Sequence, residues 1–238
     1  MTDPNAPMTA LVEYQVRTEE ITTSDWLDVW QKRAQDALEA EPETTGYAAA
    51  ASLDDESCLF FYEHYDQGNT SLKFHMERPS HTELNETMGA RRMTKRRVMS
   101  TGFLDHPGFG WRGRGGKTLI LSGAIIVISG LRFGDDAQRT DAIRMSQEHA
   151  EYCWNEEPDT LIYSLGIAAQ EADRGPDIKR GDVIFMMACT ALAAVEKHSQ
   201  DPQHLALGPV FAKAGIETTF TFTKMYRTTG HGFLAKAV

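Results

Sequence analysis

The sequence has little cysteine, too little positive charge to balance its acid, and no long apolar run. Three cysteines, Cys58, Cys153 and Cys189, stand in 238 residues, and no two lie within four positions of each other. Neither a Cys-x-x-Cys redox pair nor a zinc knuckle can be built from that spacing. A sparse, odd set of thiols fits a reducing compartment, and each is read as a small buried apolar residue. Lys and Arg number 24 against 34 Asp and Glu, a net charge of −10. A field of that sign repels phosphate backbones and excludes nucleic acid as the expected partner. The longest apolar stretch, around Ala124–Ile128, is far shorter than a membrane span. Met1–Ala10 has no basic start followed by an apolar core, so no signal peptide is read there. These absences predict a soluble, cytoplasmic protein without membrane contact. Hydrophobic residues at 41% and charged residues at 24% are ordinary globular values. The length suits one large domain or two of about 100 residues.

An internal repeat favours two. Glu41-Pro42-Glu43-Thr44 followed by Tyr47 recurs as Glu157-Pro158-Asp159-Thr160 followed by Tyr163, an offset of 116. His75, Pro79, His81 and Leu84 recur as His198, Pro202, His204 and Leu207, an offset of 123. The polar turn Gln170–Asp182, longer than its counterpart near Ser52–Ser57, absorbs the difference.

Both halves show one order of elements. Val12, Tyr14 and Val16 alternate with polar residues, the period of a half-buried strand. Thr22, Thr23 and Ser24 offer N-caps to a helix carrying Trp26, Leu27, Trp30, Ala34, Ala37 and Leu38. Tyr47–Ser52 and Cys58–Tyr65 read as a hairpin, Thr70–Met88 as a helix broken near Pro79, and Val98–Leu104 as a strand. The second half follows with a strand at Ala124–Ile128, a helix over Asp135–Trp154 and a hairpin of Leu161–Ala169 with Val183–Ala191. Helix over His198–Ala214 and a strand over Thr218–Tyr226 complete it. Each half is β-α-β-β-α-β, the ferredoxin-like arrangement. The fold class is therefore α+β, with repeats at 8–104 and 119–238 joined by a glycine-rich linker at 105–118. One sheet face in each half lacks helices, and the cheapest cover is the sheet of the other half, packed sheet to sheet.

The stretch Glu63-His64-Tyr65-Asp66, Ser71-Leu72-Lys73-Phe74-His75 and Arg78-Pro79-Ser80-His81 resembles the antibiotic biosynthesis monooxygenase family of the dimeric α+β barrel superfamily. The resemblance covers about Thr9–Leu104 well and Leu119–Tyr226 more weakly. It implies an intrachain dimeric barrel, with a ligand cavity between each sheet and its own helices. Members include cofactor-free oxygenases of polyketide quinols and haem-degrading enzymes. The haem-degrading branch needs a histidine one turn beyond the Pro-x-His step, where Glu86 and Pro209 stand. Neither is an axial ligand. In the second half Ala188 and Thr190 align with Glu63 and Tyr65, which leaves the first half as the expected catalytic one.

In a cofactor-free oxygenase the substrate anion itself reduces oxygen. The protein supplies a dry aromatic pocket, a base and donors to the anion. The candidate catalytic residues are His75 as base, Tyr65 as donor and Glu63 to orient a histidine. Trp26, Trp30, His64 and His81 are candidate substrate-binding residues. Each also has a packing role open to it: core for the tryptophans, helix start for His81, exposed strand charge for Glu63. No metal centre is expected, since His75 and His81 are six apart with a proline between them, and the resemblance to cofactor-free oxygenases implies no cofactor. Gly113–Thr118 reads GRGGKT but lacks the upstream glycine of a phosphate loop, and a strand follows it. The basic run Arg91, Arg92, Lys95, Arg96 and Arg97 is read as a solvated strand edge.

Two functions follow. One is a cofactor-independent monooxygenase, or an isomerase or cyclase on the same scaffold, taking a hydrophobic aromatic molecule and, for oxygenation, O2. The other is a non-catalytic small-molecule-binding or partner protein. A further homodimer of the tandem chain is compatible with either.

Overall fold

In the first half, helix-capping chemistry and strand alternation set the elements. The computed structural model describes Asp3 and residues 5–237; Met1, Thr2, Pro4 and Val238 lie outside the described residues. Strand β1 (Met8–Val16) leads to helix α1 (Thr23–Ala40), which starts at a capping box. The Thr22 hydroxyl accepts from the Asp25 amide at 3.1 Å, while Asp25 accepts from the Thr22 amide at 3.1 Å. Strands β2 (Thr44–Ser52) and β3 (Cys58–Tyr65) form the expected hairpin. The predicted second helix is two helices, α2 (Gly68–Met76) and α3 (Pro79–Ala90). Pro79 opens α3, where its missing N–H costs nothing. Strand β4 (Thr94–Asp105) closes the half.

The predicted linker is not free chain. It holds a short strand, β5 (Trp111–Arg112), which pairs with the later strand β7. Beyond β5, the Arg114 guanidinium donates to the carbonyls of Cys153, Trp154 and Thr160, so linker residues cap the last turn of the long helix of the second half. No helix follows Gly113–Thr118. The second half then runs β6 (Ser122–Phe133), α4 (Asp136–Glu156), β7 (Thr160–Ala168), β8 (Val183–Cys189), α5 (Leu192–Gln200), α6 (Pro202–Lys213) and β9 (Thr218–Phe233).

The strands run β4-β1-β3-β2-β9-β6-β8-β7, and a β4–β7 pairing joins the two ends. The result is a closed eight-stranded antiparallel barrel with helices outside. The halves thus do more than lie face to face: two seams, β2–β9 and β4–β7, join them edge to edge. Closure leaves these sheets no free edge. Strand β9 is longer than the predicted Thr218–Tyr226, because its second part, Tyr226–Phe233, pairs with β2.

Three apolar clusters result. The barrel interior is packed from both halves, with Leu11, Phe60, Tyr62, Ile126, Ile128 and Tyr226 among its members. A second cluster lies between the first-half sheet and α1, and a third between the second-half sheet and α4. At one barrel end Arg112 donates to Asp105, Tyr62 and Thr9 at 2.7–2.9 Å. At the other, Lys224 and the Tyr226 hydroxyl both meet the buried Glu13 carboxylate, at 2.5 and 3.1 Å. All three cysteines are buried thiols. Among the described residues no helix is long and apolar enough to cross a membrane.

Candidate active site

Strand alternation sorts the candidate residues. Phe60 and Tyr62 point into the barrel, so Leu59, Phe61, Glu63 and Tyr65 point out toward the helices. Tyr65 and Glu63 therefore face α2, which carries His75. The Tyr65 hydroxyl donates to Glu63 at 2.7 Å, and the Tyr65 and His75 rings meet edge to face at 5.4 Å. Burial, then the Glu63 charge, raises the Tyr65 pKa well above the ordinary phenol value, which keeps it a neutral donor.

His75 is anchored from behind. Its Nδ1 lies 2.8 Å from Glu41 Oε2. Nδ1 also lies 2.7 Å from Arg33 Nη2, so it donates to the carboxylate in one tautomer and accepts from the guanidinium in the other. In the first of these Nε2 is the proton acceptor. Arg33 donates from Nη2 to Glu41 Oε1 and to the His75 carbonyl, the latter at 3.1 Å. Burial alone would push the Glu41 carboxyl up; the His75 hydrogen bond and charge, Thr44 and Arg33 hold it down to about 2. Arg33, Glu41 and His75 are each at most 1% exposed, a buried ion group with its polar atoms largely paired.

The other candidates separate. Trp30 donates to the Tyr47 hydroxyl at 3.1 Å, and Tyr47 packs on His75 at 4.8 Å, so Trp30 stands one residue back from the histidine. Trp26 lies deeper, against Phe61 and Tyr14, in the core between α1 and the sheet. His81 is 5.5 Å from His75, and its buried Nδ1 has no partner. Burial, then His75, lowers its pKa. His64 points the other way. It contacts Asp105 at 2.8 Å and Thr45 at 2.6 Å, in the Arg112 network at the barrel end. The substrate-binding role expected of His64 meets this obstacle: neighbours on a strand face opposite sides, so Tyr65 and His64 cannot share one pocket.

The second half reuses the same frame with different chemistry. Glu157 accepts from Thr160 and contacts His198, as Glu41 does with Thr44 and His75. Ladder register pairs Tyr163 with Met187 and Tyr47 with Glu63; Thr160 meets Cys189 as Thr44 meets Tyr65. Met187 and Cys189, not Ala188 and Thr190, therefore occupy the places of Glu63 and Tyr65. The sequence alignment slipped by one because the insertion between the hairpin strands left its register open. At the 116 offset Arg33 becomes His149 and Ala37 becomes Cys153. His149, Cys153 and His198 are buried, with ligand atoms all within 4.8 Å of one another. The expectation of no metal centre weighed cysteine-to-cysteine spacing and the pair His75 and His81, and passed over this trio of mixed ligands. The signal was present as a His-x-x-x-Cys spacing, one helical turn.

The chain has the fold of the monooxygenase-type α+β barrels. It is similar along nearly all its length to two solved structures described as candidate monooxygenases. One is from Lactobacillus acidophilus NCFM (TM-score 0.69, 11% identity, 97% of this chain and 99% of that one). The other is from Fusobacterium nucleatum subsp. nucleatum ATCC 25586 (TM-score 0.72, 12% identity, 98% and 96%). An anthrone oxidase-like protein also matches over 100% of this chain and 98% of its own, with TM-score 0.52 and 9% identity. At such identities the likeness is one of fold. Neither a family model nor a curated protein matches the sequence.

Proposed function

We propose that this chain is a cofactor-independent monooxygenase of an electron-rich aromatic or polyketide-like molecule, acting in secondary metabolism, with its active site beneath the helices of the first half. The observation that carries the reading is the hydroxyl–carboxylate pair Tyr65–Glu63 set against the imidazole–carboxylate pair His75–Glu41 on one face of one sheet. The second half lacks the first of these pairs, and we assign it the role of structural partner. We read the halves as two ferredoxin-like repeats forming an intrachain dimeric barrel, at work in the cytoplasm.

In this reading His75 Nε2 takes a proton from a phenol or activated methylene. Glu41 holds the ring and stabilises the imidazolium, while Tyr65 turns its single hydroxyl hydrogen from Glu63 to the developing oxyanion. The substrate carbanion passes one electron to O2, the two radicals join at carbon, and the His75 imidazolium returns its proton to the peroxide. The hydroperoxide so formed loses water, leaving a new carbonyl. Tyr65 is fully buried and His75 is 1% exposed, so entry requires α2 and α3 to shift. Helix α3 buries only Leu84.

The same close packing favours the alternative of a non-catalytic binding or partner protein, and one experiment separates the two. Oxygen uptake is followed with a panel of anthrones and polycyclic quinols, together with ligand affinity. The oxygenase reading expects uptake matched to ketone formation, reduced about 100-fold or more in His75→Ala and Tyr65→Phe. Full turnover in both variants sinks the site. Affinity without uptake supports the alternative, and conversion without uptake points to an isomerase or cyclase.

A further inference from the structure

The cluster His149, Cys153 and His198 lies in the half to which the proposed oxygenation assigns no chemistry. In the first half, the buried Glu41 carboxylate is balanced by a permanent cation, Arg33, whose guanidinium meets it directly. Glu157 is the same carboxylate in the second half, 6% exposed and hydrogen-bonded to Thr160 and His198 in the same way. No guanidinium bonds it there; Arg114, though near enough to feel its charge, donates to the carbonyls of Cys153, Trp154 and Thr160 instead. His149 stands at the position of Arg33, and Cys153 at that of Ala37. A buried carboxylate with no directly bonded cation is costly, and the two replacements are both metal ligands.

Their geometry fits an ion. His149 and Cys153 are one turn apart on α4 and share a face. His149 Nε2 is 3.4 Å and His198 Nδ1 is 3.8 Å from Cys153 Sγ. A tetrahedral zinc with bonds of about 2.3 Å to sulfur and about 2.0 Å to nitrogen sets those atoms about 3.5 Å apart. The Glu157 carboxylate lies beside the trio, 2.9 Å from His198 Nδ1. The His204 ring stands 4.5 Å from that of His198. Two buried ring nitrogens, Nδ1 of His149 and Nδ1 of His204, have no partner.

We infer that the second half holds a divalent transition-metal ion, zinc by its ligand set, bound by His149, Cys153 and His198, with the Glu157 carboxylate beside it balancing charge. Binding displaces the Cys153 thiol proton to solvent. A thiolate, a carboxylate and a doubly charged cation leave the site neutral, as the arginine and the carboxylate leave the first half neutral. The ion takes the place of a side-chain cation.

The test uses full-length, tag-free protein loaded with Zn²⁺ or Co²⁺ and then desalted. Wild type and a Cys58→Ala control should retain about one metal per chain, and the cobalt form should show a thiolate-to-metal charge-transfer band. Cys153→Ala should lose the band and at least tenfold in metal affinity; Ala37 at the equivalent place indicates that alanine is accommodated. His149→Arg combined with Cys153→Ala rebuilds the first-half group and should fold, melt independently of zinc and bind none. Folded wild type that desalts free of both metals overturns the inference. So does a Cys153→Ala protein with unchanged metal content.

Discussion

Glu41 shows how one residue ties local structure to acid stability. It ends α1, its backbone N–H donating to the Ala37 carbonyl, and its side chain gathers Thr44, His75 and Arg33. Its carboxyl is held down to about 2, from 4.5. A carboxyl that binds protons less tightly in the folded state contributes stability that is complete above about 4.5. That stability is lost as pH falls toward about 2. The shift corresponds to about 3 kcal/mol. Urea midpoints measured across this window should fall more steeply for wild type than for Glu41→Gln. Parallel curves would show that Glu41 titrates like an exposed carboxylate. The repeat was legible at this residue, since Glu41, Thr44 and His75 recur as Glu157, Thr160 and His198. Its partner Arg33 was not, because a charged residue on a helix reads as solvent-facing until tertiary contacts bury it. The same rule hid His149. That Tyr65 and His64 part company was legible, since both lie in the predicted strand Cys58–Tyr65 and neighbours on a strand face opposite sides; which of the two faces the helices was not.

At the scale of elements, β1 and α1 were readable because alternation and capping are local. The seams were not, because their partners lie far along the chain. Strand β9 shows this well. Gly230 and Gly232 take positive φ of 83° and 72° and read as turn residues, yet the strand continues through them to Phe233. At Gly232 an added Cβ would strike the Tyr47 carbonyl, so the bulge against β2 depends on glycine. The other seam has an equivalent in Gly166, which pairs with Asp105; a Cβ there would run into the Phe103 ring and the Leu104 carbonyl. Gly166→Ala should therefore destabilise the protein by about 1–3 kcal/mol. Hydrogen exchange should speed first at the amides of β4 that face β7. Unchanged exchange there, with the loss spread over the molecule, would mean that the seam does not carry the strain.

At the scale of the whole molecule, neither half is self-sufficient. The interior cluster draws Leu11, Phe60 and Tyr62 from one half and Ile126, Ile128 and Tyr226 from the other. Separation would bare that face and free the edges of β2, β4, β7 and β9. The polar ends of the barrel are shared as well: Glu13 is met by Lys224, and Asp105 by Arg112 of the intervening stretch. A chain ending at Leu104 would leave the buried Glu13 without its cation. The isolated first half should accordingly form a homodimer that rebuilds the barrel, or aggregate. Sedimentation of that fragment, with circular dichroism to report its fold, decides the matter. A stable, folded monomer would show that each sheet can keep its inner face in water, and the mutual shielding that joins the two halves would then be unnecessary.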